Sequence, residues 1–513
     1  MITQNQLRDA RTNFLETKVP RYLIALNMLA AVLYFVILYF GFAQGNPLLY
    51  GLLMAGEVFH VWQLCSFLWT IWDTEYTPLK DARYLPTVDV FIPVAGEPVE
   101  IVRETVRAAL AMEYPSFRVY ILNDGYVAKK ENWREVELLA EELGVKCFTR
   151  TTPGGAKAGN VNNALWKTGS TLVAVFDSDQ VPHPDFLSKT VPYFADPKLG
   201  FVQTPQFYKN LDENDVARGA WDQQSLFFGP ICKGKNRLNS VTMCGTNMLI
   251  RRNALLEVGG MCEESIAEDL ATGMFMHEKG WKSLYVPEVL AEGLAPEDFL
   301  SYYKQQFRWA RGGLDIIFRY KFMFRRGMTL TQKLQYLSSV SYFFSGAVVL
   351  MNALIPIIFF FTGAVPFVVS TMLLAAFFLP YIFFTLYILQ RSCSFSFTFR
   401  SLAFCMAGWS IHLEALFAAV TGKKTVFAIT SKKQISGNFI SLVIPHIVYG
   451  LLVVCGVAVA VAREGVTPSV VSNFAWALLN VAIFSEFVIA AVPDFSFVPR
   501  FLPATRELEV VSG

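Results

Sequence analysis

Six stretches of this sequence, residues 22–42, 48–72, 337–362, 366–389, 440–462 and 469–491, are apolar over the roughly 20 residues that a helix needs to cross a bilayer. Lipid offers no partner to backbone polar groups, so each stretch is predicted to be a spanning helix. Two precede, and four follow, a segment of different character. Residues 74–330 replace the long apolar runs by short β-branched ones separated by polar stretches of helical pattern. Of these runs, 88–94, 118–123 and 171–177 read as parallel strands of an α/β sheet. The expected organisation is an α/β domain inserted in a polytopic α-helical membrane protein. Residues 1–73 form an N-terminal membrane region, 74–330 the α/β domain with interface helices, 331–492 a C-terminal membrane region and 493–513 a tail.

Composition agrees. Of 513 residues, 53% are hydrophobic and only 17% charged, too apolar for an ordinary soluble multidomain protein. The 44 basic and 42 acidic residues nearly cancel to +2, so no global charge marks a nucleic-acid partner. Eight cysteines, without a CxxC pair or zinc-like spacing, fit reduced, packed thiols. The first 21 residues are polar and basic, and the apolar run behind them lacks a small-residue cleavage site, as in an uncleaved span rather than a signal peptide. Between the fourth and fifth spans, residues 391–437 mix Phe, Leu and Trp with Arg391, Arg400, Lys423, Lys424, Lys432 and Lys433. That mixture suits a helix lying in the membrane interface. The positive-inside rule then places this face, both termini and the α/β domain in the cytoplasm. Polar residues within the spans (Glu57, His60, Gln63, Asn352, His446, Glu486) should face protein or a hydrated path. With Trp62, Trp69 and Tyr342 they either line a conduit or make interhelical hydrogen bonds.

Carboxylates gather where strands are predicted to end. The run 171–176 leads into Asp177-Ser178-Asp179, and side chains at i and i+2 past a strand end can face the same way. Such a pair brackets a divalent cation, Mg²⁺ or Mn²⁺, that shares its remaining positions with substrate phosphates; a solvated turn would look the same. Asp124 ends an earlier strand at the carboxyl edge, where open α/β sheets bind ligands, or merely belongs to a turn. Glu268-Asp269 precedes a helical segment, and Asp269 is either its N-cap or a general base. Gln305-Gln306-Phe307-Arg308-Trp309 offers a guanidinium for phosphate and a flat ring for a sugar face, or anchors an interfacial helix in lipid.

In this order the elements resemble the D, D, D, QxxRW pattern of the processive family 2 glycosyltransferases, above all the cellulose synthase catalytic subunit and its bacterial β-glucan relatives. The resemblance covers most of the chain. Residues 93–98 (PVAGEP) stand at the first nucleotide-contact loop, 157–163 resemble KAGNxN, 201–206 resemble FVQTPQ, and Cys244-Gly245-Thr246 is similar to the acceptor-site CGS or CGT. Residues 427–432 (FAITSK) match the FxVTxK gating loop with Ile for Val. Two departures, Asn123 where Asp is common and Gly96 where Asn is frequent, touch fine nucleotide contacts.

The resemblance implies a nucleotide-diphospho-sugar transferase domain of the GT-A type, a modified doubly wound sheet docked on a membrane channel. It also implies roles. Asp269, with Glu268 beside it, is the expected catalytic base; Asp177 and Asp179 hold the metal and diphosphate; Glu97 and Asp124 take the uridine side with Lys157 nearby; Gln305 and Arg308 take the pyrophosphate. Trp309, Cys244, Gly245, Thr246 and Gln203 would contact the acceptor or polymer, and Phe427, Thr430 and Lys432 would gate the site. His183 and His277 are given no role. The expected partners are a UDP-sugar, UDP-glucose in first place, the growing polysaccharide, the lipid bilayer and accessory periplasmic or regulatory subunits, with no nucleic acid. The expected place is the bacterial inner membrane. A β-glucan of cellulose-like, β-1,3 or mixed linkage is the expected product. Rival readings are a same-fold transferase making another exopolysaccharide or glycosylating a lipid carrier, and a transporter that only senses nucleotide. Residues 492–513 are too few for a folded domain and contain no RxxxR motif, so a fused cyclic-di-GMP module is not expected.

Overall fold

The computed structural model describes residues 18–211, 213–368, 370–393, 397–423 and 437–492. The gating residues Phe427, Thr430 and Lys432 lie outside them.

The α/β domain is built on seven strands: β1 (Val88–Val94), β2 (Phe117–Asn123), β3 (Lys146–Thr149), β4 (Leu172–Val175), β5 (Leu199–Gln203), β6 (Met248–Arg251) and β7 (Lys282–Tyr285). They lie in the order β7-β5-β6-β4-β1-β2-β3. The four strands β3, β2, β1 and β4 are parallel, with Val88 opposite both Phe117 and Leu172. β6 is antiparallel to β4 and β5. The sheet is therefore mixed, and the three runs read from the sequence as parallel strands lie parallel within it. β1 reads VDVFIPV and is buried on both faces, which a central parallel strand requires. Its one charge, Asp89, is 1% exposed and pairs with Arg252 at 2.7 Å. Helices cover both faces; Val99–Leu110 buries Val102, Thr105, Val106 and Ala109, the i, i+3, i+4, i+7 stripe of an amphipathic helix. The carboxyl ends of β1, β2 and β4 consequently open on one edge, where Asp124 and Asp177 follow their strands.

Among the described residues seven helices, one more than the six stretches read from the sequence, are long and apolar enough to cross a membrane: Arg21–Phe40, Pro47–Ile71, Leu330–Thr362, Met372–Ser392, Phe399–Val420, Ile440–Glu464 and Pro468–Ala491. The additional one is the segment read as interfacial. Its basic residues flank it rather than interrupt it, leaving only Arg400 and Glu414 charged within it. It is two helices, Phe399–Ala407 and Trp409–Val420, joined at Gly408 and packed on helices of the α/β domain. The fourth apolar stretch starts its helix later than predicted because Phe367–Val368 pairs antiparallel with Ala43–Gln44.

The polar residues of these helices mostly bond to neighbouring helices. Trp62 Nε1 and Gln63 Nε2 each donate to Ser341 Oγ at 3.0 Å. His446 Nε2 meets the Ala407 carbonyl at 2.7 Å, and Tyr34 donates to Glu57. Glu486 faces Arg400 at 3.8 Å.

Candidate functional site

β4 delivers Asp177 to the sheet edge, and the loop from 244 to 247 fixes it there: the Asp177 amide donates to Thr246 Oγ1 at 2.8 Å. Asp179 is buried one turn on, while the Ser178 carbonyl between them accepts from Thr105. Opposite stands Lys157, in the first turn of helix Ala156–Leu165. Its ammonium pairs with Asp177 Oδ1 and donates to the Gly245 carbonyl at 2.8 Å. Burial works to lower the Lys157 pKa, but the charges of Asp177, Glu268 and Asp269 outweigh it and hold the amine protonated. Lys157 thus ties the end of β4 to the loop at Gly245.

Asp124 has a partner the sequence did not reveal. Arg150, just past β3, donates from Nε to Asp124 Oδ1 at 2.8 Å and from Nη2 to the Ala156 carbonyl at 3.1 Å. One guanidinium ties the end of β2 to the helix that carries Lys157. Burial raises the Asp124 carboxyl, and Arg150 offsets part of that. Asn123 explains its own departure from the resemblance. Its amide donates to the Trp133 carbonyl at 2.8 Å and its oxygen accepts from Gly125 N at 2.9 Å, a pair of bonds that a carboxylate could not make. Glu97 accepts from the Ala95 amide at 2.6 Å, folding the first loop back over the strand end.

The third acidic position begins helix Glu268–Glu278, whose N-cap is Ala267. Asp269 is therefore not the N-cap; it stands in the first turn with Oδ2 turned toward Gly245, where an added Cβ would lie 2.9 Å away. Gly245 has φ +80°, a conformation that suits glycine. Desolvation raises both Glu268 and Asp269, and Lys157 and Arg308 pull each back. Two carboxyls in one dry place with two cations are poised to hold or take a proton.

Arg308, Gln305 and Trp309 come from the amphipathic helix Phe299–Phe318, capped by Asp298, which accepts from Ser301 N at 2.8 Å. The helix approaches the acidic loop so closely that a Cβ on Gly312 would lie 2.5 Å from the Ala267 Cβ. This contact brings the Arg308 charge to Glu268 and Asp269. Tyr208, which the sequence did not single out, sits among Asp179, Gln305 and Arg308 and accepts from Gln224 at 2.9 Å. Gln203 is fully buried; it accepts from Cys244 N at 2.8 Å and donates to the Thr246 carbonyl at 2.8 Å. It braces the Cys244-Gly245-Thr246 loop from beneath. His277 is packed between Tyr336 and Ser283 and takes no part.

The oxygen donors Asp177 and Asp179 suit a hard divalent cation. Lys157 already places a positive charge against Asp177. Among the described residues no group of three or more His, Cys, Asp or Glu side chains forms a metal site, so a cation here would complete its coordination with phosphate and water.

A mixed sheet, with carboxylates at its open edge and a cationic helix closing over them, defines a glycosyltransferase domain of GT-A type. Residues 86–312 match the family described as glycosyltransferase like family 2, and residues 256–498 the family described as cellulose synthase. The two matches overlap and together run from residue 86 to residue 498, the glycosyltransferase like family 2 match passing into the cellulose synthase match. It is 30% identical over 467 residues to a cellulose synthase catalytic subunit (UDP-forming) of Pseudomonas fluorescens strain SBW25, covering 86% of this chain and 62% of that protein. A protein of the same description from Xanthomonas axonopodis pv. citri strain 306 is 33% identical, over 63% of this chain and 42% of its own length. The chain thus spans less than two thirds of these relatives. The fold is similar to that of a mannosyltransferase from Pyrobaculum calidifontis in complex with GDP-Man and Mn²⁺, with TM-score 0.52 and 16% identity over 73% of this chain and all of that one.

Proposed function

We propose that this chain is an inverting, processive glycosyltransferase that extends a β-glucan from UDP-glucose and passes it across the bacterial inner membrane, its α/β domain facing the cytoplasm. One observation carries the reading: Lys157, Asp177, the Gly245 carbonyl, Glu268, Asp269 and Arg308 converge at one sheet edge, beside a helix presenting Trp309. In the reaction the acceptor hydroxyl oxygen bonds to the anomeric carbon, the bond from that carbon to the diphosphate breaks, and UDP leaves with its electron pair. Asp269 takes the hydroxyl proton. Lys157 and Arg308 offset the charge growing on the diphosphate. Mg²⁺ or Mn²⁺ held by Asp177 and Asp179 would add to that neutralisation. Glu97 and Asp124, braced by Arg150, form the uridine side, and the loop braced by Gln203 carries Cys244, Gly245 and Thr246 toward the acceptor. Phe427, Thr430 and Lys432 would close over bound UDP-sugar. The cellulose synthase similarity on the membrane side supports transfer of a polymer rather than a single sugar.

The test is incubation of the full chain in nanodiscs with radiolabelled UDP-glucose. UDP release with a product too long to migrate, cut by a β-glucanase, is the expected result, and the enzyme that cuts it assigns the linkage. A short, lipid-extractable product would replace this reading by glycosylation of a lipid carrier, and the absence of UDP release would leave a nucleotide sensor.

A further inference from the structure

A cavity of about 220 Å³ lies between the start of helix Ala156–Leu165 and the loop that leads into helix Glu268–Glu278. Residues 155–158 form one wall, and residues 263–266 with Glu268 form the other. The close approach of the two walls is built into the sequence. Gly155 has φ +63°, and a Cβ there would collide with Glu263 Oε2, so glycine lets the helix start beside that carboxylate. Asn162, further along the same helix, fixes the facing loop. Its amide nitrogen donates to the Met261 carbonyl at 2.9 Å and to Glu263 Oε1 at 2.7 Å, and its oxygen accepts from Met261 N at 2.8 Å. Arg319 holds Glu264 at 3.1 Å. The carboxylates of this wall are thus set in place before any ligand arrives, as a specific site requires.

The place of the cavity decides what can enter it. Lys157 lines it while its ammonium holds Asp177, and Glu268 lines it beside Asp269. A donor with its diphosphate at Asp177 and its anomeric carbon near Asp269 therefore extends its sugar ring into this space. Size agrees. Pockets for drug-sized ligands start at roughly 300 Å³, so this one takes a single ring and not a nucleotide or an oligosaccharide. Chemistry agrees as well. Glu268 is 9% exposed, and its carboxylate meets the charges of Lys157 and Arg308 without accepting a hydrogen bond from any other described residue. Ring hydroxyls are donors that suit such a group. We propose, as an inference that rests on the transferase reading above, that this cavity is the donor-sugar subsite and Glu263 a specificity-determining residue in it, accepting a hydrogen bond from a hydroxyl of a neutral hexose and turning away a hexuronate. A carboxylate on the ring would meet Glu263, Glu264 and Glu268 together, and like charges brought close are a means of rejecting the wrong ligand.

Calorimetry on the full chain in nanodiscs with Mg²⁺ reads this directly. The ligands are UDP, UDP-glucuronate, and a phosphonate analogue of UDP-glucose in which carbon replaces the glycosidic oxygen so that no transfer occurs. Wild type should bind UDP-glucuronate more weakly than the analogue by roughly tenfold or more. Glu263→Gln keeps an oxygen for Asn162, so its Tm should match wild type. Its Kd for the analogue should rise about tenfold, the scale of one charge-assisted bond, with the Kd for UDP unchanged and the rejection of UDP-glucuronate weakened. Glu263→Asp keeps the charge and should still reject UDP-glucuronate. An unchanged Kd for the analogue in Glu263→Gln, a parallel weakening of UDP and the analogue, or rejection of UDP-glucuronate that Gln retains and Asp loses would overturn the proposal and leave the transferase reading standing. A wild-type chain that binds neither UDP nor the analogue would overturn that reading, and this subsite with it.

Discussion

Each acidic residue of the site is set by its neighbours. Asp269 is half-buried beside the buried Glu268, with Lys157 and Arg308 as counter-charges. If it is the base, Asp269→Asn should keep UDP binding, measured by calorimetry, and lower sugar transfer by on the order of a hundredfold or more; parallel loss of both would make it a ligand contact. The pH dependence follows from the same burial. A base must be deprotonated, and desolvation raises the Asp269 carboxyl, so activity should fall on acidification through a value above the roughly 4 of an ordinary carboxylate. The two neighbours titrate as a pair. Removing one negative charge eases ionisation of the other, so Glu268→Gln should move that acidic limb to lower pH. Asp177 is the simpler case, a partly exposed side chain whose loss harms the fold little. Asp177→Ala should abolish UDP release and its dependence on added Mg²⁺ or Mn²⁺, with a Tm close to wild type; a variant still stimulated by metal would reassign the ligand.

Elements whose sequence carries a strong period were legible, and those defined by partners were not. The predicted run 88–94 is β1, and 118–123 and 171–177 overlap β2 and β4, because strands buried on both faces must be apolar throughout. β6 is four residues long and antiparallel to both its neighbours, and so short a run has no period to read. Arg150 was missed for a related reason: its pairing with Asp124 spans two strands and appears in no local pattern. The seventh apolar helix was masked by flanking charge. Gly312 shows how one element sets another. With a Cβ only 2.5 Å from the Ala267 Cβ, helix Phe299–Phe318 or the loop before Glu268 must move. Gly312→Val should therefore cost about 1–3 kcal/mol in stability. It should also lower turnover by roughly tenfold or more, since small misplacements of reacting groups are expensive. Unchanged kinetics would show that the helix adapts without disturbing the acidic pair.

At the scale of the whole molecule, the α/β domain and the membrane helices share a core. Val216, Ala220, Phe299 and Tyr302 from the domain cluster with Phe404, Phe484 and Phe487 from the apolar helices. Phe299 meets Phe487 edge-on at 5.2 Å, and Tyr302 meets Phe404 at 5.5 Å. A polar tie frames this contact: Arg400 faces Asp215 at 3.2 Å. The sequence showed two regions of opposite character but not this seam, because its residues look like ordinary core residues of either. The seam makes the helix carrying Gln305, Arg308 and Trp309 as much a part of the membrane region as of the sheet. Residues 74–330 produced alone should then expose those aromatic faces, a patch that soluble monomers rarely carry. They are expected to aggregate, or to need detergent, and to bind UDP more weakly than the full chain. Size-exclusion chromatography with a UDP titration decides the matter. A soluble monomer binding UDP as tightly as the whole protein would mean that the seam is a docking contact rather than a shared core.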